Sequence, residues 1–79
     1  MTDTLSTAAF EARVRRLRRL TANSGDYHKR PVNDAVNMAR CFVGNGGDGR
    51  DAEHFLLLAE VRAGAITPEQ FREADPLSP

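Results

Sequence analysis

The sequence predicts an all-α fold, a small bundle of three main helices and a short C-terminal fourth helix. Apolar residues recur every three or four positions in several stretches, and glycine- or proline-rich stretches separate them. No stretch alternates apolar and polar residues for long enough to form a strand. Because 79 residues leave room for only one core, we expect a single helical domain spanning residues 1–79.

The first helix is expected over residues 6–22. Its apolar face recurs at spacings of four, three and three residues and consists of Phe10, Val14, Leu17 and Leu20. Ser6 or Thr4 is suited to cap its start. Arg13 projects from the apolar side, so we expect its guanidinium either to reach water along the helix or to pair with an acid.

The second helix is expected over residues 33–43. Residues 23–32 are rich in turn formers, and Pro31 disfavours helical geometry in the residue before it. Asn33 is a suitable N-cap. We expect a central, mostly buried helix, because its apolar residues leave only a narrow polar edge. These residues are Ala35, Val36, Met38, Ala39, Phe42 and Val43.

A glycine-rich loop is expected over residues 44–50 and a third helix over residues 51–63. The loop spells G-x-G-x-x-G, but a dinucleotide fingerprint needs a preceding strand, so we interpret the loop as a connector. Asp48 or Asp51 is suited to cap the third helix, and Gly64 to end it in left-handed geometry. Its apolar face is Ala52, Phe55, Leu56, Leu58, Ala59 and Ala63.

A short fourth helix is expected over residues 68–74. Thr67 is suited to cap it, Pro68 to occupy its first position, and Gln70 to complete a capping box. The core expected from all four helices is Phe10, Val14, Leu17, Val36, Ala39, Phe42, Phe55, Leu58, Ala59, Ile66 and Phe71.

Residues 55–71, less than a quarter of the chain, follow a helix, G-x-I-T, E-x-F, helix pattern. The residues that supply it are Gly64, Ile66, Thr67, Glu69 and Phe71. The segment resembles short C-terminal helical modules such as SHOCT domains, and also the last part of small antitoxins that inhibit Fic-type enzymes. The second resemblance implies an inhibitory Ser/Thr-x-x-x-Glu-Gly/Asn element. Thr7 and Glu11 match its spacing, whereas Ala12 stands where Gly or Asn is expected.

Composition argues against several classes of protein. A single cysteine, Cys41, forms no intrachain disulfide, so we expect a cytoplasmic protein with Cys41 as a small apolar residue near the core. The N-terminus carries an acid where a signal peptide needs a base, and the longest apolar run is only Phe55 to Ala59. We therefore expect no contact with a membrane.

The sequence offers little from which to build an active site. The candidate metal ligands or nucleophiles are only His28, Cys41 and His54, with Asp26 or Asp51, and no two of them share C-x-x-C or H-x-x-x-H spacing. We interpret His54 as a surface residue near a helix start. The prediction is a protein that is not an enzyme and that has no catalytic residue, no metal and no cofactor.

Charge is unevenly distributed along the chain. Residues 1–40 carry eight Lys or Arg and four acids, and residues 41–79 carry three and seven, so the halves are about +4 and −4 although the total is zero. The candidate partner-binding cations are Arg15, Arg16, Arg18, Arg19, Lys29 and Arg30. They suit nucleic-acid phosphates, an acidic protein surface, or a solvated face partly paired with acids of the third and fourth helices.

Leu57 is a further candidate partner-binding residue. It lies outside the expected apolar face of the third helix, between Glu53 and Glu60. We expect it to face water in the monomer and to contact another chain.

The leading functional hypothesis is a small non-enzymatic regulator or inhibitor that binds a larger protein partner, of the kind that phages and mobile elements encode. One alternative is a nucleic-acid-binding accessory protein that uses the Arg-rich first helix. Another is a structural homodimer in which the +4 and −4 halves meet.

Overall fold

The computed structural model describes residues 6–44 and 49–77. These residues form four helices and no strand: α1 (Thr7–Leu20), α2 (Asp26–Gly44), α3 (Gly49–Arg62) and α4 (Pro68–Ala74). The all-α fold class is confirmed. Thr4, Asp48 and most of the expected glycine-rich loop, at 45–48, lie outside the described residues.

Helix α1 begins as the sequence indicates and ends two residues early. Ser6 is the N-cap, and its Oγ accepts a 3.1 Å hydrogen bond from the Ala9 amide. Phe10, Val14 and Leu17 are buried. Leu20, the last residue of the expected apolar face, is instead 51% exposed because α1 ends there and the chain turns toward α2.

Helix α2 begins at Asp26, seven residues before the expected start at Asn33. The amides of His28 and Lys29 both donate to the Gly25 carbonyl at 3.0 Å, which starts the helix. Pro31 lies inside α2 rather than in a loop. Pro31 disfavours helical geometry in the residue before it, and it removes a single intrahelical hydrogen bond in the second turn of α2. This cost is outweighed because the longer helix buries Val32.

Helices α2 and α3 form an antiparallel pair. Phe42 and Phe55 stack with their ring centroids 5.6 Å apart, and at the other end Arg62 Nη1 donates to the Pro31 carbonyl at 2.9 Å. The core between the helices is small and aliphatic apart from Phe10. Its buried members are Phe10, Val14, Leu17, Val32, Ala35, Val36, Ala39, Leu56 and Ala59.

Two residues of α2 that were expected in or near the core face solvent. Met38 is 48% exposed, and Cys41 is also exposed. With α2 packed on α1 and α3 through its other sides, one face of this helix is left open. The expectation of a mostly buried helix is therefore wrong for that face.

The connection from α3 to α4 follows the expected local chemistry. Gly64 has a φ of 79°, and the amides of Gly64 and Ala65 donate to Val61 and Glu60 at 3.0 and 2.8 Å. At the start of α4, Thr67 and Gln70 form a complete capping box. Both features depend on neighbouring residues only, so the sequence predicts them directly.

Candidate partner-binding site

Four arginines occupy the solvent side of α1. At about 100° per residue, Arg15 and Arg19 point away from the buried face, and Arg16 and Arg18 lie on opposite flanks. All four side chains are exposed. The expected Arg-rich face is therefore exposed to solvent, and it lies on the C-terminal part of α1, over residues 15–19.

Three acids of α1 and α3 are engaged with other cations. Glu53 and Glu60 of α3 pair with Arg13, and Glu11 pairs with Arg40 at 2.8 Å. Across residues 6–44 and 49–77, none of the α1 surface arginines makes an ion pair. Their expected partial pairing with acids of α3 and α4 is thus not found in this part of the chain.

One of these arginines lines a cleft between α1 and α2. The cleft has a volume of about 430 Å³, and Arg18 shares it with Lys29 of α2. Its other lining residues are Val14, Leu17, Thr21, Val32, Asn33, Val36 and Asn37. The apolar residues form a floor that is already almost fully buried, so the polar side chains and the two cations determine what the cleft can bind.

Arg30 belongs to a different surface. It lines a separate depression of about 460 Å³ together with Asp26, Tyr27, Pro31 and Asp34. The two carboxylates are four residues before and four residues after Arg30 on α2, and they locally offset its charge. The structure therefore joins Lys29, but not Arg30, to the basic surface of α1.

Leu57 does not lie on the surface. Its exposure is only 6%, so the expectation that it faces water is wrong. The reason is its position on α3, four residues after Glu53 and three before Glu60. These glutamates face Arg13 of α1 rather than solvent, and the leucine between them lies on the same inward side.

Arg13 takes the second of its two expected alternatives and pairs with acids. Its Nη1 donates to Glu53 Oε1 and its Nη2 to Glu60 Oε1, both at 2.7 Å. Burial alone would lower the pKa of Arg13, but the hydrogen bonds to Glu53 and Glu60 raise it above its usual value. This cluster fastens α1 to α3 and engages its three charged groups with one another.

His54 forms an interaction that the sequence did not indicate. It was expected at the surface, but its Nδ1 lies 2.8 Å from Asp75 Oδ1. Its ring also lies against Phe55 and Phe71, with centroids 5.1 and 5.7 Å away. His54 thus helps to hold the C-terminal segment on α3.

Asn33 and Asn37 are the cleft residues that sequence reasoning missed. A signal for them exists, because Lys29, Asn33 and Asn37 are spaced four residues apart, on one side of a helix. This spacing indicates a shared helix face only when α2 is known to begin at Asp26. Under the expected start at Asn33, Lys29 belonged to a loop.

Two further findings bear on the chemistry of the site. Over the described ranges, no group of three or more His, Cys, Asp or Glu residues is placed to hold a metal ion. Among the helices as described, none is both long and apolar enough to cross a membrane.

Comparison with known proteins found no relative from which to transfer a function. No protein family matches the chain, and neither a curated protein nor a solved structure is significantly similar to it. The resemblance to SHOCT modules and antitoxins therefore rests on those short sequence patterns alone.

Proposed function

We propose that this protein is a small non-enzymatic regulator or inhibitor that acts by binding an acidic surface of a larger protein through α1. One observation carries the proposal. Arg15, Arg16, Arg18 and Arg19 are exposed on one side of α1, and none has an ion-pair partner among the described residues. Three acids, Glu11, Glu53 and Glu60, are already paired with Arg13 or Arg40.

Such a surface favours fast and selective association. Exposed guanidinium groups lose little hydration in the free protein, and together they attract an oppositely charged partner over a distance of about 8 Å at physiological ionic strength. Arginine also binds carboxylates through two parallel hydrogen bonds. The arginines of α1 would therefore steer an acidic partner and fix its orientation.

An acidic protein fits this molecule better than a nucleic acid. The chain has no net charge, and Asp26 and Asp34 are exposed on α2. A long polyanion that follows the basic surface would approach these carboxylates, whereas a compact acidic patch on a protein can avoid them.

Nucleic-acid binding is the second candidate, because the four arginines lie exposed within five consecutive residues of α1. A homodimer is a third, since Tyr27 is 96% exposed and Met38 48% exposed on α2. Light scattering at low and high salt separates the dimer from the other two. A dimer would have twice the chain mass of 8.7 kDa.

The test compares two labelled probes by fluorescence anisotropy, a glutamate-rich peptide and a short DNA duplex. We expect the peptide to bind in a salt-dependent manner, and Arg15→Glu with Arg19→Glu to abolish that binding. The matched control is Arg30→Glu with Arg72→Glu, which changes the net charge equally at other exposed positions.

The outcomes distinguish the candidates. Loss of peptide binding in the α1 variant alone supports the proposal. Tighter binding of the duplex should show log K falling with log salt by about 0.9 per phosphate contact. If the α1 variant abolishes this duplex binding, the nucleic-acid function replaces the proposal of a protein partner. Equal losses in both variants contradict a specific role for α1.

A further inference from the structure

We infer that the cleft between α1 and α2 is a carboxylate-binding site that receives one acidic side chain of the protein partner. This inference rests on the proposed function and deepens it, because it assigns one discrete site within the basic surface. The site is defined here as the α1–α2 cleft, with Arg18, Lys29, Asn33 and Asn37 as its polar residues.

Charge is the first argument. Arg18 comes from α1 and Lys29 from α2, and both line one cavity of about 430 Å³. Over the described residues, neither makes an ion pair. Two cations facing one cavity repel each other, and an anion between them replaces that repulsion with two attractions. The cavity is therefore electrostatically matched to a negative group.

Hydrogen-bonding capacity is the second argument. An ionised carboxylate has two oxygens with about four acceptor positions. A guanidinium can satisfy two of them in parallel, and an ammonium or a side-chain amide can donate to the others. Lys29, Asn33 and Asn37 lie one helical turn apart on the same side of α2 and supply these donors next to Arg18.

The floor of the cleft is the third argument. Val14, Leu17 and Val32 are at most 2% exposed, so their packing fixes the depth of the cavity. Because they are already buried, an apolar ligand would gain little by covering them. Recognition therefore depends on the polar rim, and a carboxylate on a short aliphatic stem suits it.

Local charge favours a single carboxylate over a chain of phosphates. Asp34 follows Asn33 directly and is exposed on α2. One carboxylate held between Arg18 and Lys29 avoids it. A continuous nucleic-acid backbone that leaves the cleft across α2 would bring further negative charge toward it.

The experiment is a titration of the ¹⁵N-labelled protein followed by heteronuclear NMR. The probe is a blocked peptide with three glutamates, and the matched peptide has glutamine in their place. We expect the side-chain amide signals of Asn33 and Asn37 to shift with the glutamate peptide only. Inorganic phosphate and a single-stranded oligonucleotide are titrated in the same way.

Variants locate the site. Arg18→Gln with Lys29→Gln should weaken binding of the glutamate peptide about tenfold, because both charged donors of the cleft are lost. The matched pair Arg15→Gln with Arg19→Gln removes the same charge outside the cleft and should weaken it about twofold. Asn33→Ala with Asn37→Ala leaves the charge unchanged and should weaken binding about threefold, which tests the site even if the charge variants fold poorly.

The failures of the two proposals are distinguishable. If both arginine-containing pairs weaken binding equally and the asparagine signals do not shift, the cleft is not a site, and the broader basic surface of α1 remains the binding surface. If no variant changes peptide binding, or the peptide does not bind, the proposed function fails. Larger asparagine shifts with phosphate or the oligonucleotide than with the glutamate peptide overturn the assignment to a carboxylate.

Discussion

Arg13 of α1 donates a 2.7 Å hydrogen bond from Nη2 to Oε1 of Glu60 on α3, and the two side chains differ in exposure. Glu60 is 8% exposed, whereas Arg13 is 27% exposed. Glu60 also accepts a longer bond from Arg13 Nε at 3.4 Å, while the more exposed Glu53 accepts a single bond. Glu60 therefore depends more on Arg13 than Glu53 does.

Neutralising the two glutamates should have unequal effects on stability. Glu60→Gln should lower the free energy of unfolding by about 1–3 kcal/mol, because it removes the carboxylate charge that faces Arg13 and one of the two acceptor oxygens in a mostly buried site. Glu53→Gln should cost less than about 1 kcal/mol, since its ion pair is partly screened by water. Urea unfolding followed by circular dichroism measures both, and equal losses would contradict the asymmetry in burial.

Leu57 should behave as a core residue. Leu57→Ala should lower the free energy of unfolding by about 2–4 kcal/mol, because truncation leaves a cavity where the leucine is buried. Met38→Ala, at an exposed position on α2, serves as the matched control and should cost about 0.5 kcal/mol or less. A stable Leu57→Ala protein with an altered oligomeric state would restore the surface interpretation.

Features that depend on near neighbours in the chain could be predicted from the sequence. The Ser6 cap, the left-handed Gly64 and the Thr67–Gln70 capping box all involve residues within about one turn of each other. The Arg-rich side of α1 was predictable for the same reason, because helical periodicity alone places these arginines opposite the buried stripe.

The burial of Leu57 and the cleft between α1 and α2 depend on contacts between helices and could not be predicted. Glu53 and Glu60 suggested a water-facing side of α3, but they face Arg13, and so Leu57 is buried. The cleft was hidden in the same way. The cleft forms only if Lys29 lies on a helix and α1 packs beside α2. The local effect of Pro31 predicted a loop at Lys29 instead.

The substitution Pro31→Ala tests where α2 begins. If α2 starts at Asp26, Pro31→Ala restores the hydrogen bond to the Tyr27 carbonyl and relieves a steric clash, so the free energy of unfolding should rise by about 1–3 kcal/mol. If residues before 33 formed a loop, the same substitution would instead destabilise the protein slightly, through the greater entropy of the unfolded chain. Thermal unfolding and the helical circular dichroism signal together distinguish the two signs.

Asp75 should make stability depend on pH in the acidic range. Burial alone would raise its pKa, but hydrogen bonds from His54 and the Leu77 amide lower it below the ordinary value of 3.8. A carboxylate with a depressed folded-state pKa contributes stability that is fully present above its unfolded-state pKa and is lost as the pH falls through the folded-state pKa.

Asp75→Asn should therefore lower the melting temperature at pH 6, and the difference from the unsubstituted protein should shrink steadily below about pH 4. Glu73→Gln, an exposed carboxylate change on α4, should alter the melting temperature little at pH 6. A difference for Asp75→Asn that stays constant down to pH 2 would show that the ionised carboxylate does not hold the C-terminal segment on α3.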